Sequence, residues 1–144
     1  MKLNTKYFGE MDYEAEEVIN FAEGLFGFED EKDYLLIRFD NDDDMLLSLQ
    51  SVKTPSLAFV VVNPFRLLSD YEPYVSDRDL ELLDVNNQEL VAIYTIAIVG
   101  DDISDTSINL KAPLVMNPAN HKARQVIIDD PALSFDFRFS FKEK

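Results

Sequence analysis

The longest apolar run in this chain is Leu57 to Val62, LAFVVV. It falls far short of the roughly 20 residues that a membrane-spanning helix needs. Phe and the three consecutive valines are β-formers, because branched and aromatic side chains fit a pleated surface. An unbroken run without alternation predicts a strand buried on both faces. Pro64 has no amide hydrogen to give to a ladder, so the strand should end or bulge there. A chain whose strongest apolar segment is a short buried strand must build its core from sheets.

The rest of the sequence agrees, because its dominant period is two. Lys2 to Phe8 alternates loosely and Gly9 allows a turn. Glu14 to Phe21 gives a weaker strand signal. Ala22 to Asp30, AEGLFGFED, holds two glycines three apart and reads as a structured loop. Asp33 to Phe39 and Met45 to Val52 flank the turn DNDDD at 40–44, so residues 33–52 read as a hairpin. Ser76 to Asp84, SDRDLELLD, is the one clear helix, with Ser76 as cap and Asp79 three residues on as in a capping box. Leu80 and Leu83 share one face of it. Glu89 to Val99 reads as a long strand and Gly100 to Asp105 as an acidic loop. Leu110 to Met116 and Gln125 to Ile128 are two more strands. The expected fold is mainly β, a small antiparallel β-barrel-like single domain over residues 1–144 with one short helix and roughly seven to nine strands.

The inventory of chemical groups points away from catalysis. Nucleophilic catalysis most often needs a histidine base, and His121 is the only histidine. It lies in NPANHKAR, on what reads as a hairpin connection. There is no cysteine, which removes disulfides and thiolate metal sites and is compatible with the cytoplasm. Asp42, Asp43 and Asp44 lack the alternating oxygen ligands, glycine and distal Glu of a calcium loop. The four glycines do not form a phosphate cradle before a helix. The expectation is no catalytic residue, no metal and no cofactor. Two other readings compete with a binding protein: a β-barrel carrying a hydrophobic ligand in its interior, and a hydrolase using paired carboxylates.

Charge says more about partners. Acids outnumber bases 28 to 13, for a net charge of −15. Residues 1–50 carry 14 acids and 4 bases, residues 51–100 carry 7 and 3, and residues 101–144 carry 7 and 6. Such a surface repels phosphate backbones, so direct binding to nucleic acid or an anionic membrane is not expected. It attracts basic proteins and speeds their encounter.

Several stretches, in order, resemble the flagellar assembly factor family, FliW. They are TKYFGE at 5–10, EGLFGFED at 23–30, LLSLQSVKTPSLAFVVVNPF at 46–65, DYEPYVSDRDLELLDV at 70–85, NLKAPLVMNP at 109–118 and RQVIIDD at 124–130. Together they span nearly the whole chain. Ala22 and Phe26 stand where the family often has proline. The tail LSFDFRFSFK places Phe135, Phe137, Phe139 and Phe141 on one face of a strand, which reads as an extra strand over the barrel or as a partner-binding or subunit-swapping edge.

The resemblance implies a non-enzymatic cytoplasmic regulator with a β-barrel-like fold. It implies two protein partners: the RNA-binding translational regulator CsrA, whose repression of flagellin synthesis such a factor relieves, and flagellin, which competes for it. A CsrA-type protein must attract RNA phosphates, so its surface is basic, complementary to a chain of net charge −15. By charge density and loop position, the acids expected to meet it are Asp42, Asp43, Asp44, Asp70, Glu72, Asp77 and Asp79. Flagellin's terminal segments are amphipathic helices, so a receptor should offer an apolar groove. Phe65, Leu67, Leu68, Tyr71 and Tyr74 are the anchor candidates; the commoner role for such aromatics is a lid on the core.

Overall fold

The computed structural model describes residues 1–40, 42–99, 101 and 105–139. The expected Gly100–Asp105 loop falls largely outside them, as do Asn41 and Phe141. Eleven strands and two short helices are seen among the described residues: β1 (Lys2–Thr5), β2 (Gly9–Asp12), β3 (Ile19–Phe21), β4 (Asp33–Asp40), β5 (Asp43–Ser51), β6 (Ala58–Val62), α1 (Pro64–Leu67), α2 (Asp77–Leu82), β7 (Ala92–Val99), β8 (Thr106–Ile108), β9 (Leu114–Asn117), β10 (Lys122–Gln125) and β11 (Phe137–Phe139). None of these helices is long and apolar enough to cross a membrane.

Seven strands close a ring in the order β7, β6, β5, β4, β3, β10, β9 and back to β7. Every pairing in it is antiparallel except β10 with β3. The strand β7 has two neighbours beyond β6. Ala92 to Tyr94 pairs with β9 and closes the barrel, while Ala97 to Val99 pairs with β8. Beyond β8 lies β11, so these two strands form a flap outside the ring. The hairpin β1–β2 is a separate two-stranded sheet. It is held to the barrel by Gln50, whose Oε1 accepts from the Lys6 amide at 2.8 Å, and by Tyr7 and Phe8, whose rings lie 5.4 and 5.2 Å from that of Phe39.

The apolar side chains divide by the two-residue period of the strands. Ile19, Phe21, Tyr34, Leu47, Leu49, Val61, Leu114 and Ala123 point inward and form the barrel core. Their neighbours point outward into two further clusters. One gathers Val75, Leu80 and Leu83 over Val115, Val126 and Ile128. The other gathers Tyr71 over Val62, Ala97, Ile108 and Leu110. Of the run expected to be buried on both faces, Val61 is buried inside and Val62 outside, while Ala58, Phe59 and Val60 are half-buried. Inside, only about 10 Å³ is left between Ile19, Leu36, Val61, Tyr94 and Met116. Small-molecule sites run to about 300–1,000 Å³, so this cavity is too small for a carried ligand, which counts against that reading.

Several elements differ from the sequence expectation. There are two α-helices, because Pro64 not only ends β6 but takes the first helical position of α1, where its missing amide hydrogen costs nothing. Glu14 to Phe21 and Glu89 to Val99 each begin with a 3₁₀ turn, at Ala15–Glu17 and Gln88–Leu90, before the strand proper. The strand expected at 110–116 starts only at Leu114. The amides of Leu110 and Lys111 instead both donate to the Ser134 carbonyl, and Pro113 has none to donate. At α2, Ser76 Oγ accepts from the Asp79 amide, and the Asp79 carboxylate accepts from the Ser76 hydroxyl in return. The Phe-rich tail does add a strand: β11 pairs with β8 through Phe137, Arg138 and Phe139.

Past β5 the chain turns on a carboxylate. Ser51 and Thr54 donate their hydroxyls to Glu31, at 2.7 and 2.8 Å. The Ser51 bond first, then that of Thr54, favour the charged form and lower the Glu31 pKa from its ordinary value.

Two tests follow from this packing. Leu49→Ala opens a hole in the barrel core and should cost about 2–5 kcal/mol, read as a fall in the urea midpoint, while Ile98→Ala, on the exposed end of β7, should change stability by less than about 0.5 kcal/mol. For Glu31, the folded pKa lies below the unfolded one. Its stabilisation is therefore full above the unfolded value of about 4.3 and is lost as pH falls through the folded one. Thermal melts of wild type and Glu31→Gln should differ at pH 7 and converge below about pH 4; a gap of constant size down to pH 3 refutes this.

Candidate functional site

The segment that follows β6 is built by local polar bonds. Asn63 caps α1, its side-chain oxygen accepting from the Phe65 amide at 3.1 Å. The Leu68 amide returns to the Pro64 carbonyl, and the Tyr71 amide to that of Leu68. The chain then turns at Asp70 and runs without regular secondary structure through Tyr74. Tyr71 turns inward and is buried, its hydroxyl donating to the Leu110 carbonyl at 2.6 Å. Burial pushes the phenol well above its ordinary pKa. The flanking Asp70 and Glu72 are exposed. The Phe65 ring lies 5.8 Å from that of Tyr71 and is itself exposed.

Asp70, Tyr71 and Glu72 edge a groove of about 450 Å³ between the α1 segment and the flap. Its apolar lining comes from Leu68, Leu110, Leu133 and Phe137, and its acids are Asp70, Glu72 and Asp130. Lys111 stands near, its ammonium donating to the carbonyls of Ile128 and Asp130. The groove offers an apolar floor with carboxylates on its rim.

The other acids expected to meet a partner lie elsewhere and are differently engaged. Asp42 is exposed in the β4–β5 turn. Asp43 and Asp44 are each bonded to Arg66, at 3.0 and 2.6 Å, and Asn63 donates to Asp44 as well. Arg66 thus offsets that acidic turn and ties it to the helix that carries Phe65. Asp79 is largely buried between the Ser76 cap and Arg124, whose Nε donates to it at 3.1 Å. Asp77 is exposed in the first turn of α2. Tyr74 is 65% exposed, the most open aromatic of the segment. The structure therefore brings together Phe65, Asp70, Tyr71 and Glu72, places Asp42 to Asp44 across Arg66 from them, and sends Asp77 and Asp79 to α2. Tyr71 differs from an exposed anchor: it is the lid on the outer cluster beneath it.

One surface escaped the sequence reading. At one mouth of the barrel Phe26, Ile98 and Phe135 are exposed around a groove of about 350 Å³ floored by Phe59 and Ile96. Phe28, also exposed, packs edge-on against Phe59 at 5.1 Å. Gln125 holds this loop, its side-chain oxygen accepting from the Phe26 amide at 2.8 Å. Gly24 sits at a φ of +69° with the Glu29 backbone 2.6 Å from where a Cβ would stand, so no other residue fits there. The signal in the sequence was the alternation of glycine and Phe in EGLFGFED. Exposed aromatics grouped in this way mark contact surfaces in soluble proteins.

His121 sits in the hairpin turn between β9 and β10, with φ +62°. It is half-buried, and its Nδ1 has no hydrogen-bond partner among the described residues. Its neighbours are engaged with other groups: Lys122 with Asp84, and Arg124 with Glu23 and Asp79. Among the described residues no three His, Asp or Glu side chains are grouped so as to hold a metal ion.

This architecture has counterparts. A family model described as FliW protein matches residues 2–139. The chain belongs to the FliW family. The flagellar assembly factor FliW of Ruminiclostridium cellulolyticum is 43% identical over 129 residues, covering 90% of this chain and 87% of that one. The factor of the same name from Bacillus subtilis is 35% identical over 130 residues, covering 90% of each. A crystal structure of the flagellar assembly factor FliW superposes with a TM-score of 0.90 at 34% identity, covering 99% of this chain and 100% of that one. The family is thus one of assembly factors, named for building a structure rather than for a reaction, and its barrel is the barrel seen here.

The Tyr71 bond is testable without any partner. Tyr71→Phe keeps the ring and leaves the Leu110 carbonyl buried without its donor, which should cost about 1–3 kcal/mol. Urea unfolding should show a lower midpoint with an unchanged slope, and an unchanged midpoint would remove the bond from the account.

Proposed function

We propose that this chain is a non-enzymatic flagellar assembly factor that binds a basic, RNA-binding regulator of the CsrA type and so relieves repression of flagellin synthesis, with flagellin as the competing partner. The observation that carries this reading is the groove beside Tyr71, where Asp70, Glu72 and Asp130 surround a floor of Leu68, Leu110 and Leu133. A partner that must bind RNA presents Lys and Arg. The carboxylates would meet those cations while the floor takes an apolar side chain. The net charge of −15 adds long-range attraction that raises the rate of encounter.

The same lip supports the competition. Phe65 and Tyr74 are exposed aromatics on the segment that carries Asp70 and Glu72. An amphipathic helix needs such anchors more than it needs charge. Two partners of different chemistry would then use overlapping faces of one segment, and occupancy by one excludes the other. Nothing in this requires a bond to be made or broken. The relatives' name, flagellar assembly factor, supports the setting.

Binding to a purified CsrA homologue at low salt should give a micromolar or tighter complex that added flagellin displaces. Asp70→Asn with Glu72→Gln should weaken it about fivefold or more, mostly by slowing association, as rim charges do. Raising the salt should slow association of the unaltered chain too. Absence of a complex at micromolar concentrations removes this reading.

A further inference from the structure

A larger groove, of about 660 Å³, lies on the α2 side of the molecule and shares no residue with the one beside Tyr71. It runs between α2 and the turn that joins β9 to β10. Leu80, Val85, Leu90 and Ala119 give it an apolar surface, and Asp77, Glu81 and Asp84 stand along it. We infer that this groove is a second protein-docking site, and that its occupant is a partner segment presenting apolar side chains flanked by Lys or Arg.

Charge complementarity selects that occupant. Asp77 and Glu81 are four residues apart on one helix, so they lie on one face and repel each other. Neither has an ion-pair partner among the described residues. Asp84 has one, Lys122, but both side chains are at least half exposed, where such pairs are weak and easily exchanged. Asp84 also stands just past the end of α2 in the left-handed conformation, φ +60°, a position that glycine usually takes. Helix carbonyls gather at that end, so it is already negative. A cation arriving there meets Asp84 and a helix C-terminus, with Glu81 in the turn before it and one competing ammonium, while Asp77 marks the other end of the groove.

The floor excludes a purely ionic ligand. Leu90 is 55% exposed, and Val85 beside it is half-buried. A face kept only for solubility would set polar side chains there, and this chain does not lack them. An apolar ligand without charge would leave the acids unanswered, and a bare cation would leave Leu90 wet. A basic amphipathic segment, most simply a helix laid along α2, answers both, as helix-in-groove recognition does. This inference stands apart from the reading of the Tyr71 groove, because the two share neither residues nor elements.

The test uses the full chain, labelled with nitrogen-15, and a synthetic 14-residue amphipathic peptide of leucine and lysine as the probe. Binding should shift the amide resonances of Leu80, Val85, Leu90 and Ala119. Asp77→Asn with Glu81→Gln should raise the peptide's Kd about fivefold, and Leu90→Ser, which alters an exposed side chain and no charge, should raise it about threefold or more. Asp70→Asn with Glu72→Gln should change it by less than twofold. Dispersion of the amide spectrum checks that each variant is folded. Shifts spread over the acidic surface, equal losses from both neutralised pairs, or no effect of Leu90→Ser would reduce the interaction to bulk charge and overturn the assignment. Binding of a CsrA homologue, measured in parallel, reads the other groove: it should survive Asp77→Asn with Glu81→Gln, so failure of one reading is separable from failure of the other.

Discussion

The pairing of β7 with β9 is the contact on which the rest of the molecule depends. Ala92 to Tyr94 opposes Met116 to Leu114, and that short ladder turns a curled sheet into a closed ring. Closure removes the free edges that a sheet of this size would otherwise expose. It also fixes which face of each strand is inside, because one residue of slip would exchange the two faces. Since β7 is longer than the ladder it shares with β9, its far half is left to pair with β8, and the flap of β8 and β11 follows from that. The groove beside Tyr71 lies where the flap and the 130–134 segment meet the chain that follows α1.

The outer surface of the ring is the second half of the design. A barrel filled by its own side chains cannot receive anything, so its contacts with other molecules must be made outside. Here the outward faces of several strands are apolar and need covers: α2 over Val115, Val126 and Ile128, and Tyr71 over Val62 and Leu110. Each cover is short and irregular, and each leaves a groove at its margin. The grooves are thus by-products of covering a barrel with single turns of helix instead of a full layer.

The acids divide in the same way. Asp43, Asp44 and Asp79 are held by Arg66 and Arg124 and by the Ser76 cap, and they belong to the framework. Asp70, Glu72, Asp77 and Glu81 have no cation among the described residues. Composition cannot make this division, because thirteen bases spread over 144 residues carry no address in the sequence. Arg66 reaches back to the β4–β5 turn and Arg124 reaches across to α2, both through folding. The run DNDDD therefore looks like the most negative surface in the sequence, yet two of its acids are answered by an arginine. Tyr71 takes the commoner role of such aromatics, a lid on the core, and its hydroxyl donates to the Leu110 carbonyl beneath it.

What the sequence determined by itself was the class of the fold, the strand at 58–62, the 33–52 hairpin and the helix after Ser76. Each of these rests on a periodicity or a cap confined to a few neighbouring residues, and local forces suffice to decide it. The resemblance carried by LQSVKTPSLAFVVVNPF and its companion stretches also named the family correctly, because that information lies in the residues themselves. Only the tertiary structure decided that the sheet closes through β7 and β9, that strands 110–116 and 89–99 begin late, and that Phe26, Ile98 and Phe135 meet at one mouth. Those outcomes join residues far apart in the chain, and each depends on which of several backbone partners a segment finds once the ring has formed.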